Sequence, residues 1–131
     1  MSLNNLISQL YSNIALGQKL DVIMPLVKSY NNTDWKEYIN FSERRYTRNL
    51  VYKSDLFDVY IICWNNKQES PIHDHASNGC VMKILQGLNC FLYYYSTLLK
   101  KQLRNDRYIY VLDVCVTKKS MCSFRSFCFH T

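Results

Sequence analysis

The chain has 131 residues, 48% of them hydrophobic, and a formal net charge of +6. This length suits one domain with one hydrophobic core and leaves no room for a second domain. No apolar run approaches the ~18 residues of a membrane span, and the first twenty residues are too polar for a leader peptide, so we expect a cytoplasmic protein. The six cysteines form no C-x-x-C pair and lie mostly in apolar runs, which favours reduced thiols.

The positive charge is concentrated in the last third of the chain. Residues 1–90 hold nine Lys and Arg against eight Asp and Glu, whereas residues 91–131 hold seven against two. Tyrosines and phenylalanines alternate with these cations, a mixture that also suits single-stranded nucleic acid. The cations form no compact cluster and no known binding motif. We therefore expect a monomer with a small-molecule partner, and neither nucleic acid nor a membrane.

The first 41 residues predict helices. Apolar residues at spacings of three and four predict an amphipathic helix that Gly17 ends; they are Leu3, Leu6, Ile7, Leu10, Tyr11 and Ile14. A second apolar series runs from Leu20 to Tyr30, although Pro25 limits the regularity of its start. Thr33 or Asp34 is expected to cap a third, short helix. We interpret these helices as a cover packed on a sheet.

The pattern then changes to strands. Residues 45–52 and 56–64 are rich in β-branched and aromatic residues, and the turn at 53–55 predicts a hairpin. Further strands are expected at 81–85 and 91–95. Helices followed by short antiparallel strands indicate an α+β chain, mainly β, whose core is a β-barrel or jelly roll.

The segment from Pro71 to Gly87, PIHDHASNGCVMKILQG, holds the candidate metal ligands. In an extended strand His73 and His75 project from the same face, where two neutral imidazoles can supply two ligands of a metal. An H-x-H pair alone is more often found without a metal. Cys80 and Gly87 extend the pattern to H-x-H-x4-C-x6-G, and a strand that merely carries two histidines requires neither of them.

This spacing resembles the first motif of the cupin barrels, H-x-H-x(3,4)-E-x6-G, with Cys80 in place of the glutamate. In that substitution the chain resembles the cysteine dioxygenases. The strand YTRNLV at residues 46–51, the Cys63-Trp64 pair and the I-H-D-H sequence at 72–75 make the resemblance more specific. It covers residues 3–88.

The resemblance implies an enzyme that holds Fe(II) by three histidines and converts L-cysteine and O₂ to cysteine sulfinate. His73 and His75 would be two of the ligands. Arg48 would bind the carboxylate of cysteine, and Tyr46 would line the same pocket. Cys80 matches the cysteine that forms a thioether with a tyrosine in some members. The assignment of Arg48 agrees with its chemistry, because a planar guanidinium meets a carboxylate with two parallel hydrogen bonds.

The resemblance ends after Gly87. The family's G-L-H signature, which carries the third ligand, and its S-x-H-x-Y strand have no counterpart in the remaining sequence. The only histidine left is His130, which is either the third metal ligand or a terminal residue outside the site.

We therefore expect a single cupin-like domain over residues 1–131, with a cupin-type antiparallel barrel that is incomplete at its C-terminal end. Residues 1–41 form the helical cover, 42–95 the barrel strands with the iron-site motif, and 96–131 a divergent tail. Two functions remain open. One is a cysteine dioxygenase-like enzyme, and the other is an inactive cupin relic that binds a ligand or a partner. A third iron ligand would distinguish them.

Overall fold

Two α-helices and a short 3-10 helix precede the sheet, in the order that the sequence predicts. The computed structural model describes residues 1–65, 68, 80–86, 108–116 and 127–129. Helix α1 is Leu3–Ala15, α2 is Leu20–Ser29, and the 3-10 helix is Asp34–Tyr38. Within these described ranges no helix has both the length and the apolar composition that crossing a membrane requires.

Helix α1 begins and ends where its sequence allows. The Ser2 hydroxyl accepts a hydrogen bond from the Asn5 amide at 3.2 Å, which satisfies one of the unpaired N–H groups of the first turn. Gly17 follows the helix with a φ of 74°, and its N–H donates to the Ile14 carbonyl at 3.0 Å. Only glycine adopts this left-handed conformation without a steric cost, so the predicted end of the helix is confirmed.

Thr33, one of the two residues predicted to cap the third helix, occupies the N-cap position, but the expected capping hydrogen bond is not formed. The Asp34 carboxylate instead accepts the Leu3 amide of α1 at 2.6 Å and the hydroxyl of Tyr30. The unpaired amides and positive dipole of the α1 N-terminus attract this carboxylate. Burial raises the pKa of Asp34, but the hydrogen bonds from Tyr30 and Leu3 outweigh it and hold the pKa below its usual value of 3.8.

The sheet has five described strands. They are β1 Thr47–Lys53, β2 Phe57–Asn65, β3 Cys80–Gln86, β4 Tyr108–Val116 and β5 Phe127–Phe129. Their order is β1-β2-β4-β3-β5, and every pair is antiparallel except β3 with β5, which is parallel. The predicted hairpin of β1 and β2 is confirmed. Among the described strands β1 and β5 lie at opposite edges, so the architecture is α+β, mainly β, with an open sheet.

Strand β4 lies within residues 96–131, the segment interpreted as a divergent tail, where the sequence pattern predicts no strand. It occupies the centre of the described sheet. It pairs with β2 from Tyr108–Asn65 to Val116–Phe57, and with β3 on its other side. The physical reason is that β2 and β3 would otherwise expose unpaired backbone groups, which β4 satisfies. The predicted strand at 91–95 lies outside the described residues.

The helices cover one face of the sheet. Because side chains alternate along a strand, every second residue of β2 and β4 faces them, and those from Phe57 to Cys63 and from Leu112 to Val116 are fully buried or nearly so. The main core combines them with the apolar faces of α1 and α2; its members include Leu6, Leu10, Ile23, Val27, Phe57, Val59, Ile61, Leu112 and Val114. The prediction of a helical cover is confirmed.

Lys83 on β3 joins the sheet to the end of α2. The residue is 1% exposed, and its ammonium donates to the Lys28 carbonyl at 2.7 Å, to the Tyr30 carbonyl, and to Asn31 Oδ1 at 3.0 Å. An ammonium has three donors, and three oxygens accept them here. The carbonyls at the end of α2 therefore gain a partner that their own helix cannot provide.

Candidate functional site

The candidate site lies on the face of the sheet turned away from the helices, called the outer face below. Strand alternation and pairing place these side chains on it: Arg48, Asp58, Tyr60, Ile62, Trp64, Cys80, Met82, Ile84, Val111, Asp113 and Cys115. The apolar members form a second cluster, separate from the main core, around Ile62, Trp64, Ile84 and Val111. The outer face is thus a mostly apolar surface with a few charged groups.

Arg48 is the cation that lies over the middle of this face. Its side chain starts on β1, crosses β2 and reaches β4. The guanidinium carbon lies 4.3 Å from the centroid of the Tyr60 ring on β2. Nη2 lies 3.5 Å from Asp113 Oδ2 and 3.7 Å from Cys115 Sγ, both on β4. The side chain of Arg48 is 46% exposed, so its guanidinium remains accessible to a ligand from solvent.

Asp113 is the counter-ion. Its side chain is only 4% exposed, and besides Arg48 it accepts a hydrogen bond from Cys115 Sγ at 3.3 Å. Burying a carboxylate is costly unless it is paired and hydrogen-bonded. The guanidinium and the thiol both contact Oδ2 of this carboxylate on the outer face.

The thiol of Cys115 and the hydroxyl of Tyr60 both have raised pKa values. Burial is the largest cause for Cys115, followed by the charge of Asp113 and the hydrogen bond to it. Burial is also the largest cause for Tyr60, followed by the charge of Asp58, while Arg48 acts in the opposite direction. Both groups therefore stay protonated near neutral pH, and the ionised groups beside the guanidinium are carboxylates.

Tyr46 lies beside Arg48 but contacts a different partner. Its ring stacks on Trp64, with the centroids 5.2 Å apart and an interplanar angle of 21°. Tyr46 also packs on the apolar cluster of the outer face. Tyr46 directly precedes β1, and its packing against this cluster places it on the same face of the sheet as Arg48. The stacked pair forms an aromatic wall on the same side of the sheet as the guanidinium.

Cys80 opens β3 and is 2% exposed. It pairs with Cys115 across the β3–β4 ladder, and Cys115 in turn pairs with Asp58 on β2. The three predicted site residues within the described ranges, Arg48, Tyr46 and Cys80, thus share the outer face. His73, His75 and His130 lie outside the described residues. Within the described ranges no group of three His, Cys, Asp or Glu could hold a metal.

Sequence reasoning missed Asp113, Cys115 and Tyr60. A signal for Asp113 existed, because it is the only charged residue in the run YIYVLDVCV, whose alternation and β-branched residues indicate a buried strand. An acidic residue at such a position requires a partner. Nothing local identifies that partner as Arg48, which lies 65 positions earlier.

Comparison with known proteins identifies the family that the chain resembles. The family model described as "Cysteine dioxygenase type I" matches residues 1–107, beyond the point where the recognisable motifs end. Cysteine dioxygenase type 1 of Danio rerio is 39% identical over 71 residues, which are 52% of this chain and 35% of the relative. The proteins of that name from Homo sapiens and Bos taurus are 37% identical over 76 residues, 54% of this chain and 38% of each relative.

The chain therefore spans little more than a third of the length of the curated relatives that it matches. No solved structure matches it significantly. The family model, in contrast, covers most of the chain, from its first residue to the segment just before β4. On that evidence the chain belongs to the cysteine dioxygenase type I family.

Proposed function

We propose that the chain is a cysteine dioxygenase-like, non-haem iron thiol dioxygenase, which oxidises L-cysteine with O₂ to cysteine sulfinate. The position of Arg48 carries this proposal. Its half-exposed guanidinium lies on the same face of the sheet as Cys80, which begins β3 five residues after His75. Family membership supports the reaction class, because the matching relatives bear the name cysteine dioxygenase.

In the proposed reaction Arg48 binds the carboxylate of the substrate. The guanidinium presents five N–H donors in a fixed plane, so it can orient a carboxylate as well as attract it. The Tyr46–Trp64 stack bounds the outer face beside it and excludes water from one side. Cys80 would line the same pocket, and a thioether between Cys80 and a tyrosine is part of the proposal.

His73 and His75 would hold the iron, with His130 as the candidate third ligand. Iron, when bound there, would supply the activation of O₂ and of the substrate thiolate that the reaction needs. The overall reaction is balanced, since RSH and O₂ give RSO₂H: two sulfur–oxygen bonds form and both oxygen atoms enter the product. The residues of the chain contribute neutral ligands, orientation of the substrate and partial exclusion of water.

The architecture proposed for this activity is a single cupin-like domain that acts as a cytoplasmic monomer. The five-stranded open sheet of the described residues would be one part of the cupin barrel. The helical cover supports this arrangement, because the helices pack on the face of the sheet opposite to Arg48.

A second candidate function is an inactive cupin relic that retains ligand binding. The ion pair of Arg48 with Asp113 favours it, because a carboxylate of the chain itself already neutralises the group that should attract the substrate. The resemblance also leaves His130 without the expected neighbours. The two functions differ in iron binding and turnover, and each can be measured.

The test reconstitutes the 131-residue chain with Fe(II) under nitrogen, removes excess metal, and then measures iron content and sulfinate formation from L-cysteine in air. We expect close to one iron per chain and formation of sulfinate. His73→Ala and His75→Ala should each lose the iron, since second-shell groups cannot replace a missing ligand. Retained iron in both variants contradicts the metal site. Full iron without sulfinate would favour the inactive relic.

The same measurements on His130→Ala decide the third ligand. Loss of iron in this variant would support ligation by His130. Unchanged iron content would exclude it, and the enzyme would then depend on a ligand from elsewhere.

A further inference from the structure

We propose that Asp113 competes with the substrate carboxylate for Arg48, and so determines how tightly the chain binds carboxylate-bearing thiols. This inference rests on the proposed function, because it takes Arg48 as the carboxylate-binding group. It adds a residue of the tail, in which no motif of the resemblance lies, to the site. It also predicts which ligands are affected: those with a carboxylate, and not amine thiols that lack one.

The path of the Arg48 side chain is the first argument. β1 and β4 are not neighbours, since β2 lies between them. The guanidinium nevertheless reaches β4 by lying over the Tyr60 ring, and its Nη2 comes 3.5 Å from Asp113 Oδ2. The side chain thus lies across the outer face toward an internal anion. A ligand carboxylate must approach a guanidinium whose charge Asp113 already opposes.

Burial is the second argument. The side chain of Asp113 is 4% exposed, whereas that of Arg48 is 46% exposed. The carboxylate is fixed on the central strand of the sheet, so its effective concentration at the guanidinium is far above that of a dissolved ligand. The Asp113 carboxylate cannot diffuse away, so a ligand carboxylate must displace it from Arg48 each time it binds.

Cys115 makes the competition reversible. Its thiol donates to Asp113 Oδ2 at 3.3 Å. When Arg48 turns toward a ligand, Asp113 keeps this hydrogen bond, which lowers the cost of leaving the buried carboxylate without the guanidinium. Arg48 can therefore exchange between the internal carboxylate and an external one.

The experiment compares binding of L-cysteine and cysteamine to the whole chain under nitrogen without added metal, by NMR titration of the backbone amide signals. Asp113→Asn keeps the shape of the side chain and removes its charge. We expect it to bind L-cysteine about tenfold more tightly than the wild type, since a like charge a few ångströms away opposes the ligand. Its affinity for cysteamine should stay within about twofold, because no carboxylate takes part.

Asp58→Asn is the matched control. It removes one negative charge from the same face, and among the described residues no ion pair joins Asp58 to Arg48. A double variant, Arg48→Gln with Asp113→Asn, should lose the gain. The proposal is overturned if Asp113→Asn binds L-cysteine no more tightly than Asp58→Asn does, or if cysteamine gains equally.

Failure of this inference is distinguishable from failure of the proposed function. Binding is measured without iron or O₂. The proposed enzyme function fails if neither the wild type nor Asp113→Asn forms sulfinate with Fe(II) in air. Asp113→Ser is a second variant, used if the Asp113→Asn protein does not fold. If both variants lose the dispersed NMR spectrum of a folded chain, Asp113 serves the fold and the proposal is overturned.

Discussion

The guanidinium of Arg48 lies over the ring of Tyr60, with its central carbon 4.3 Å from the ring centroid. An arginine on an edge strand is ordinarily mobile in solvent, and the aromatic face restricts it. Cation–π contacts of partly exposed groups contribute about 0.5–1 kcal/mol. Tyr60 therefore positions the cation of the candidate site, although Tyr60 itself stays protonated and uncharged because burial raises its pKa.

Replacing Tyr60 tests this positioning. Tyr60→Leu removes the ring, and we expect the dissociation constant for L-cysteine to rise about two- to fivefold, which corresponds to the loss of one cation–π contact. Tyr60→Phe keeps the ring and removes only the hydroxyl that donates to Asp58, so its affinity should match the wild type. Equal affinities in all three proteins would show that the ring does not position Arg48.

Replacing Arg48 by lysine tests the guanidinium itself. Arg48→Lys keeps the charge but loses the planar fork, so binding of L-cysteine should weaken by about 1.5–3 kcal/mol, the scale of a charge-assisted hydrogen bond. NMR titration measures the change without turnover. An unchanged affinity would place Arg48 outside the substrate pocket.

Local patterns predicted the parts of the fold that depend on near neighbours. The spacing of apolar residues and Gly17 give α1 correctly, and the β-branched runs give the β1–β2 hairpin. The position of β4 between β2 and β3 was not predictable in this way, because strand order depends on pairing between distant segments. Local patterns do not encode that pairing.

The same distinction applies to the candidate site. Arg48 could be predicted as a candidate site residue because it lies within the short motif YTRNLV. The pairing of Arg48 with Asp113 joins residues far apart in sequence, and the side chain must cross β2 to make it. Asp34 shows the same limit, since its carboxylate was expected to cap the adjacent helix and instead binds α1. When a carboxylate could bind either of two helix ends, the tertiary structure decides which one it binds.

Cys115 should resist alkylation. Its usual pKa of 9.0 is raised, first by burial and then by Asp113, so the thiolate is scarce even in mildly alkaline solution. Iodoacetamide labelling between pH 8 and 10, followed by peptide mass spectrometry, should show Cys115 reacting many times more slowly than an unstructured cysteine peptide. Asp113→Asn should accelerate it, because a neutral neighbour no longer opposes the thiolate. Labelling as fast as the free peptide would contradict a partly buried, hydrogen-bonded thiol.

Lys83 should contribute strongly to stability. Lys83→Met removes the ammonium that binds two carbonyls at the end of α2 and the Asn31 side chain, and leaves these acceptors without it. We expect the free energy of unfolding to fall by about 2–3 kcal/mol, as measured by urea denaturation. Lys19→Met is the matched control, because Lys19 is exposed and its side chain makes no capping hydrogen bond, so its replacement should change stability by no more than about 0.5 kcal/mol. A Lys83 variant as stable as the control would show that the ammonium is dispensable.

Asp34 should make the helical cover sensitive to acid. Its carboxylate accepts hydrogen bonds from Leu3 and Tyr30, and these hold its folded-state pKa below the 3.8 expected for an unfolded chain. A depressed carboxyl pKa stabilises the folded state above the unfolded-state pKa, and that contribution is lost as the pH falls from about 4 through the folded-state pKa. Asp34→Asn should lower the free energy of unfolding by about 1–2 kcal/mol at pH 7 and flatten its decline below pH 4.

Glu43→Gln, at an exposed position, is the control and should leave the pH dependence nearly unchanged. Urea denaturation at several pH values between 2.5 and 7 gives both quantities, and parallel curves for Asp34→Asn and the wild type would contradict the role of this carboxylate.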